Sequence, residues 1–174
     1  KIAANLKEVK PTLMTAVPRL YELLHDRITK GVKAKGGLSA YLFWKAVTLG
    51  RKKLLEQTLT VPEAVLDKCL DLLIRKKVRQ RFGGRLAFFV SGGAALNPDI
   101  GSFFLSLGVN ILQGYGQTEA SPLISANRPG RIRIETVGPA VDGVEIKLAG
   151  DGELLARGEC LMKGYWRNHE ATAE

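Results

Sequence analysis

The spacing of apolar positions changes twice along the chain. In the first stretch, Thr12 to Val17 is a short apolar run that predicts a buried strand. Pro18 follows at the first position of a predicted helix. Leu20, Leu23, Leu24 and Ile28 share one face of that helix, which is expected to end near Lys30, where Gly31, Gly36 and Gly37 break the pattern. A second helix is expected from a Ser39 cap to about Gln57, carrying Tyr41, Leu42, Trp44, Val47 and Leu54. Thr60-Val61-Pro62-Glu63 has the form of a capping box with proline inside the first turn. The helix it opens is expected to run to about Gln80, with Val65, Leu66, Cys69, Leu70, Leu72, Leu73 and Val78 on its apolar side. Cys69 reads there as a small core residue.

After Phe82 the helical spacing gives way to short apolar runs. Leu86 to Val90 is a continuous run of strand length, ending in Ser91-Gly92-Gly93-Ala94-Ala95-Leu96. Asn97-Pro98-Asp99 supplies an N-cap, a first-turn proline and a first-turn acid for a helix through Phe103, Phe104 and Leu107 that stops at Gly108. Val109 to Leu112 reads as the next strand, and Gln113-Gly114-Tyr115-Gly116-Gln117-Thr118-Glu119 follows it. Strand, glycine turn, helix, strand, glycine turn is the rhythm of an α/β fold with buried parallel strands. From about Arg131 the texture changes again. Arg131 to Val137, Val144 to Leu148 and Glu153 to Arg157 are short strand candidates, punctuated by Gly138-Pro139, Asp142-Gly143 and Asp151-Gly152. The expected division is therefore an α/β part over residues 1–130 and the start of a small β-rich subdomain over 131–174.

Composition narrows the class without naming a function. The 174 residues are 45% hydrophobic and 25% charged, an ordinary globular balance that excludes a disordered or collagen-like chain. No apolar run approaches bilayer length. Two cysteines, Cys69 and Cys160, form neither a disulfide framework nor a zinc spacing, which makes a reducing cytoplasm the expected compartment. Residues 27–85 hold 15 Lys/Arg against 4 Asp/Glu and the remainder 11 against 13, so the formal net charge of +9 resolves into +11 on one segment and −2 elsewhere. That segment can be a set of solvated helix faces, or a surface that attracts anionic lipid head groups or a phosphorylated thiol carrier. A peripheral contact with the inner face of a membrane is one expectation. Nucleic acid is not expected as a partner, because no nucleic-acid motif accompanies the charge.

Two glycine-rich stretches are the candidates for chemistry. Gly92, Gly93 and Ala94 follow a strand, where the backbone of an α/β fold can come close to a planar or anionic ligand. The helix from Asn97 would add unpaired N–H groups beside them. A tight structural turn is the competing reading. In the second stretch, Gly114 and Gly116 bracket Tyr115, whose ring can stack on a base. The Thr118 hydroxyl suits a phosphate oxygen, and the Glu119 carboxylate is a hard ligand suited to Mg²⁺ beside phosphates. A helix start with Thr118 as cap and Glu119 as first-turn acid is the alternative, though it leaves the two glycines around Tyr115 unexplained. Neither cluster is followed by Lys-Ser or Lys-Thr, so no P-loop motif is present. No Gly-x-Ser-x-Gly elbow offers a hydrolase nucleophile. His25 and His169 lie far apart without metal-ligand partners and read as surface residues.

Taken together, the two stretches resemble the AMP-forming acyl-adenylate synthetases. Gly152-Glu153-Leu154-Leu155-Ala156-Arg157-Gly158 and Met162-Lys163-Gly164-Tyr165-Trp166 are similar to that superfamily's next signature. Pro11-Thr12, Val17-Pro18-Arg19-Leu20-Tyr21-Glu22 and the basic helical segment resemble its long-chain fatty acid–CoA ligase branch. The resemblance implies the large N-terminal domain of such an enzyme, with ATP, Mg²⁺ and coenzyme A as cofactors and a long-chain fatty acid as substrate. It implies that Gly92, Gly93 and Ala94 lie against adenine and that Tyr115 stacks on it. It further implies that Gln113 and Gly114 line the nucleotide and acyl pocket, with Gly116 and Gln117 in the same nucleotide-binding loop. Thr118 would contact the α-phosphate and Glu119 would hold Mg²⁺, the pair forming the catalytic residues. The superfamily's phosphate loop, ribose-binding Asp and mobile C-terminal domain with its catalytic Lys have no counterpart in these residues. The chain is thus expected to be an internal piece of a longer enzyme and, by itself, inactive in adenylation. A fatty acid–acyl-carrier-protein ligase and a non-catalytic nucleotide- or acyl-binding remnant are the alternatives.

Overall fold

The computed structural model describes residues 2–173. The chain forms two compact units, Lys1–Ile111 and Leu112–Glu174.

The first unit opens with α1 (Ile2–Val9), β1 (Leu13–Ala16), α2 (Pro18–Lys35) and α3 (Gly37–Leu54). It continues with α4 (Val61–Leu70), a π turn (Asp71–Arg75), α5 (Lys76–Arg81), β2 (Phe88–Ser91) and α6 (Pro98–Ser106). β1 and β2 are parallel, in register from Leu13 opposite Phe88 to Ala16 opposite Ser91. Their α/β arrangement is the one the glycine-turn rhythm predicts. β1 alternates between exposed and half-buried positions, so it is not the fully buried strand expected. Strand β2 is fixed further by the Phe89 N–H, which donates to the Asn110 carbonyl at 2.9 Å.

Several expected helix ends move. α2 runs through Gly31 to Lys35, because one mid-helix glycine costs only about 1 kcal/mol and its two neighbouring turns stay paired. Gly36 and Gly37, both at positive φ, end it. α3 starts at Gly37, so Ser39 is inside the helix and not its cap. α1 replaces what reads in sequence as a mixed opening. The Thr60 box forms as expected, with Glu63 Oε2 accepting from the Thr60 N–H at 3.1 Å. Its helix reaches Arg81 only by widening into the π turn. Cys69 is exposed and does not contribute to the core.

The core of this unit is aromatic. Tyr21, Phe89, Phe103 and Phe104 are fully buried and meet edge to face, with Tyr21–Phe89 centroids 5.5 Å apart and Phe103–Phe104 5.4 Å apart. A second cluster gathers Ala46, Leu49 and Leu70. Between the helices lies a buried cation. Arg75 Nη2 donates to Asp67 Oδ1 at 2.6 Å and to the Ala46 carbonyl at 2.8 Å, while Nε donates to the Ser106 carbonyl at 2.8 Å. Burial pushes the Asp67 carboxyl up, but hydrogen bonds and charge from Arg75 and Lys53 outweigh it and hold the group below its ordinary range. The π turn brings Arg75 into this position. The basic segment is therefore not all solvated face: Lys52, Lys53, Arg75 and Arg79 are paired with Glu63, Asp67, Asp67 and Asp71.

The second unit takes up the chain inside β3 (Ile111–Tyr115) and continues through a single 3₁₀ turn (Thr118–Ala120), β4 (Ser125–Ala126), β5 (Val144–Leu148), β6 (Leu154–Gly158) and α7 (Glu170–Ala173). β3 and β4 are antiparallel. β5 and β6 form the hairpin expected around Asp151-Gly152. The strand expected over Arg131 to Val137 does not form. Side-chain amides take the backbone groups of that segment instead: Asn127 Nδ2 donates to the Thr136 carbonyl at 2.6 Å, and Asn127 Oδ1 accepts from the Arg133 N–H at 2.8 Å. Both β5 and β6 lie beyond residue 131, where the sequence places the start of its β-rich part. Among the described residues, no helix is long and apolar enough to cross a membrane.

Candidate functional site

The candidate residues fall in both units. Gly92, Gly93 and Ala94 belong to the first, and Gln113 to Glu119 to the second. In the first unit, β2 ends at Ser91 and the chain turns at once. The Tyr21 hydroxyl donates to the Val90 carbonyl at 3.2 Å, which anchors the strand just before the turn. Burial pushes the Tyr21 hydroxyl's pKa up, so it stays a neutral donor. Gly93 sits at φ +83°, a conformation that glycine adopts without strain. Gly93 and Ala94 are exposed. The N–H groups expected to be free at the start of α6 are not all free. Asn97 Oδ1 accepts from the N–H of Asp99 at 2.8 Å and lies 3.4 Å from that of Ile100. Asparagine at the N-cap satisfies these donors itself.

In the second unit, β3 carries Gln113 and Gly114 inward and then presents Tyr115, whose ring is 40% exposed. The glycines on either side have a clear reason. A side chain at Gly114 would press on the Ser125 carbonyl at 3.2 Å, and one at Gly116 would overlap the Pro122 carbonyl. The returning segment, whose Ile124 N–H donates to the Tyr115 carbonyl at 2.9 Å, passes too close for a Cβ at Gly116 and leaves little room for one at Gly114. The two glycines thus let the backbone fold back tightly while the intervening ring stays outside. Gln113 is buried, and its amide donates to the Thr136 carbonyl at 3.2 Å.

Thr118 begins a single 3₁₀ turn, not a long helix, and the N-cap position there is Gln117. Glu119 is half-buried. Its Oε1 accepts from the Tyr165 hydroxyl at 2.6 Å, and its carbonyl accepts from the Met162 N–H at 2.8 Å. The hydrogen bond from Tyr165 holds the Glu119 carboxyl below its ordinary range, and the same contact pushes the Tyr165 hydroxyl up. Tyr165 is fixed in turn by its own N–H, which donates to Thr172 Oγ1 at 3.0 Å. Sequence reasoning places Tyr165 in a signature but gives it no role. The signal is weak, since a lone tyrosine 46 residues away in sequence carries no spacing rule.

Among the described residues, no group of three or more His, Cys, Asp or Glu could hold a metal. A Mg²⁺ ion that arrives with nucleotide phosphates needs only one or two protein carboxylates, so a fixed, ionised Glu119 fits that demand. His25 is half-buried and packs edge-on against Phe103 at 4.6 Å, a more structural position than the surface one expected, while His169 is exposed.

The family model for the AMP-binding enzymes matches residues 1–166, and the chain belongs to that family. Among curated relatives, it is 35% identical over 173 residues to the long-chain-fatty-acid–CoA ligase FadD15 of Mycobacterium bovis, covering 95% of this chain and 28% of that protein. It is 31% identical over 189 residues to the peroxisomal long chain acyl-CoA synthetase 7 of Arabidopsis thaliana, covering 100% and 26%. The chain thus spans little more than a quarter of the length of these relatives. The long-chain-fatty-acid-CoA ligase FadD1 of Archaeoglobus fulgidus shares the fold, with a TM-score of 0.58, 20% identity, and coverage of 99% of this chain and 29% of that one.

Proposed function

We propose that the protein carrying this chain is a long-chain fatty acid–CoA ligase and that residues 91–94 and 113–119 are parts of its adenylation site. The reading rests on one observation above others. The Gly114–Glu119 loop presents an exposed ring, an exposed hydroxyl and an ionised carboxylate within five residues, and Tyr165 fixes that carboxylate. Whole-chain identity of 35% to a long-chain ligase supports the substrate class.

In the first step a fatty-acid carboxylate oxygen attacks the α-phosphorus of ATP. The bond to the bridging oxygen breaks, and acyl-AMP and pyrophosphate form. Tyr115 stacks on the adenine, and the Gly92-Gly93-Ala94 backbone is a further adenine contact. The Thr118 hydroxyl donates to an α-phosphate oxygen. Gly114, Gly116 and Gln117 keep the loop in shape, and Gln113 fastens it from below. Glu119 would hold Mg²⁺, which when bound supplies positive charge beside the phosphates. In the second step the coenzyme A sulfur attacks the acyl carbon, the carbon–oxygen bond to AMP breaks, and the thiol proton passes to solvent or a base. The contributions are positional and electrostatic.

The test is ATP–pyrophosphate exchange by the intact protein with a series of fatty acids, followed by thioester formation. Exchange that depends on a long-chain acid and discharge onto coenzyme A are expected. Absence of exchange with every acid would refute the reading, and discharge only onto a carrier protein would correct the acceptor.

A further inference from the structure

The helices of the first unit enclose a cavity of about 350 Å³ that none of the nucleotide-loop residues lines. Its walls are apolar, with Leu24, Ile28 and Val32 of α2 facing Leu73, Ile74 and Val78 of the long helix opposite. Leu24, Ile28 and Val32 stand four residues apart and form one continuous stripe. The lining also holds four cations, Arg27 and Lys35 from α2 and Lys77 and Arg81 from α5, and no Asp or Glu. All four are exposed, and among the described residues none of them forms an ion pair. Elsewhere in the same segment, Lys52, Lys53, Arg75 and Arg79 are all paired. Four of the segment's unpaired cations thus stand together around this one cavity, with no carboxylate in its lining.

Position separates the cavity from the Gly92-Gly93-Ala94 turn of the same unit. Leu6 and Phe82, which line it, precede β1 and β2, whereas the Ser91-Gly92 turn follows them. In a parallel pair the cavity therefore lies toward the strand starts and the glycine turn at the strand ends.

We propose that this cavity is a second binding site, for a single-chain anionic amphiphile: an alkyl tail in the apolar interior and a carboxylate, sulfate or phosphate head among Arg27, Lys35, Lys77 and Arg81. The volume is that of a small-molecule site. Each methylene moved from water into such walls multiplies affinity about fourfold. Four unpaired cations beside apolar walls select a negative head and repel a positive one. The proposal does not depend on the ligase reading. Under that reading the occupant has the chemistry of the enzyme's own substrate or thioester product, bound away from the Gly92-Gly93-Ala94 turn.

The experiment photolabels the intact protein with a diazirine-bearing tetradecanoate and maps adducts by peptide mass spectrometry. Adducts within residues 24–35 or 73–82 are expected. Tetradecanoate and dodecyl phosphate should compete for them, and dodecanol and dodecyltrimethylammonium should not. Lys77→Glu with Arg81→Glu should weaken labelling of these peptides about tenfold, and Ile28→Trp should abolish it by filling the cavity. Both variants should keep the wild-type melting temperature to within a few degrees and wild-type pyrophosphate exchange. No adduct in those peptides, labelling insensitive to both variants, or protection by anionic vesicles but not by monomeric amphiphiles would each overturn the proposal.

Discussion

Replacing Arg75 with methionine should cost about 3–5 kcal/mol of folding stability, the usual result of removing one partner of a buried ion pair. The side chains of Arg75 and Asp67 are 5% and 8% exposed. The guanidinium supplies bonds to a carboxylate and to the carbonyls of Ala46, Asp67 and Ser106, from three different helices. Methionine fills most of the volume and supplies none of these bonds. Asp67 keeps one partner, Lys53 Nζ at 2.9 Å, but that side chain is 56% exposed and compensates poorly. The internal comparison is Arg79→Met, which breaks a pair with Asp71 at 35% and 44% exposure and should cost no more than about 1 kcal/mol. Urea denaturation of the two variants, read by circular dichroism, measures both. Adding Asp67→Asn to Arg75→Met should recover part of the loss, because the uncompensated charge is gone. Asp67 also makes the pair pH-dependent. Its folded carboxyl titrates below the ordinary value, so its stabilisation is present above that value and is lost as pH falls through the folded one. Equal losses for Arg75→Met and Arg79→Met would refute the reasoning.

Glu119→Gln should sharply lower pyrophosphate exchange while leaving the circular dichroism spectrum unchanged; wild-type exchange at saturating Mg²⁺ would remove the metal assignment. Tyr115→Ala should weaken ATP binding by about 1–3 kcal/mol if the ring stacks on the base, as isothermal titration would report. Tyr165→Phe removes the donor that holds the Glu119 carboxyl low, so the acid limb of the exchange pH profile should move to higher pH; an unmoved limb would mean that the contact plays no part.

What was legible in the sequence was local. Asn97-Pro98-Asp99 and the Thr60 box each place donor and acceptor within three residues, and both form as read. Asp151-Gly152 sets a hairpin by its own turn geometry. The family signatures in the glycine loops were equally readable, because they are contiguous. The errors came where distant groups decide. Gly31 looks like a helix stop, yet α2 continues to the paired glycines. Cys69 carries the right period for the core but lies on the exposed side of α4, whose buried residues are Asp67 and Leu70. Arg131 to Val137 has strand composition, but Gln113 and Asn127 take its carbonyls before a ladder can form. Tyr165 reaches Glu119 across 46 residues, and the cavity is built from four separate helical stretches. No window of sequence contains either.

The carboxamide fastening of residues 127–136 has a different chemical temperament from the ion pairs of the helices. Asn127 and Gln113 carry no charge at any pH that a protein experiences, and neutral hydrogen bonds are little affected by ionic strength. The helical unit relies on Asp67, Asp71 and Glu63, all groups that acid discharges. Acidification therefore discharges the carboxylates between the helices while leaving the Asn127 and Gln113 contacts uncharged and in place.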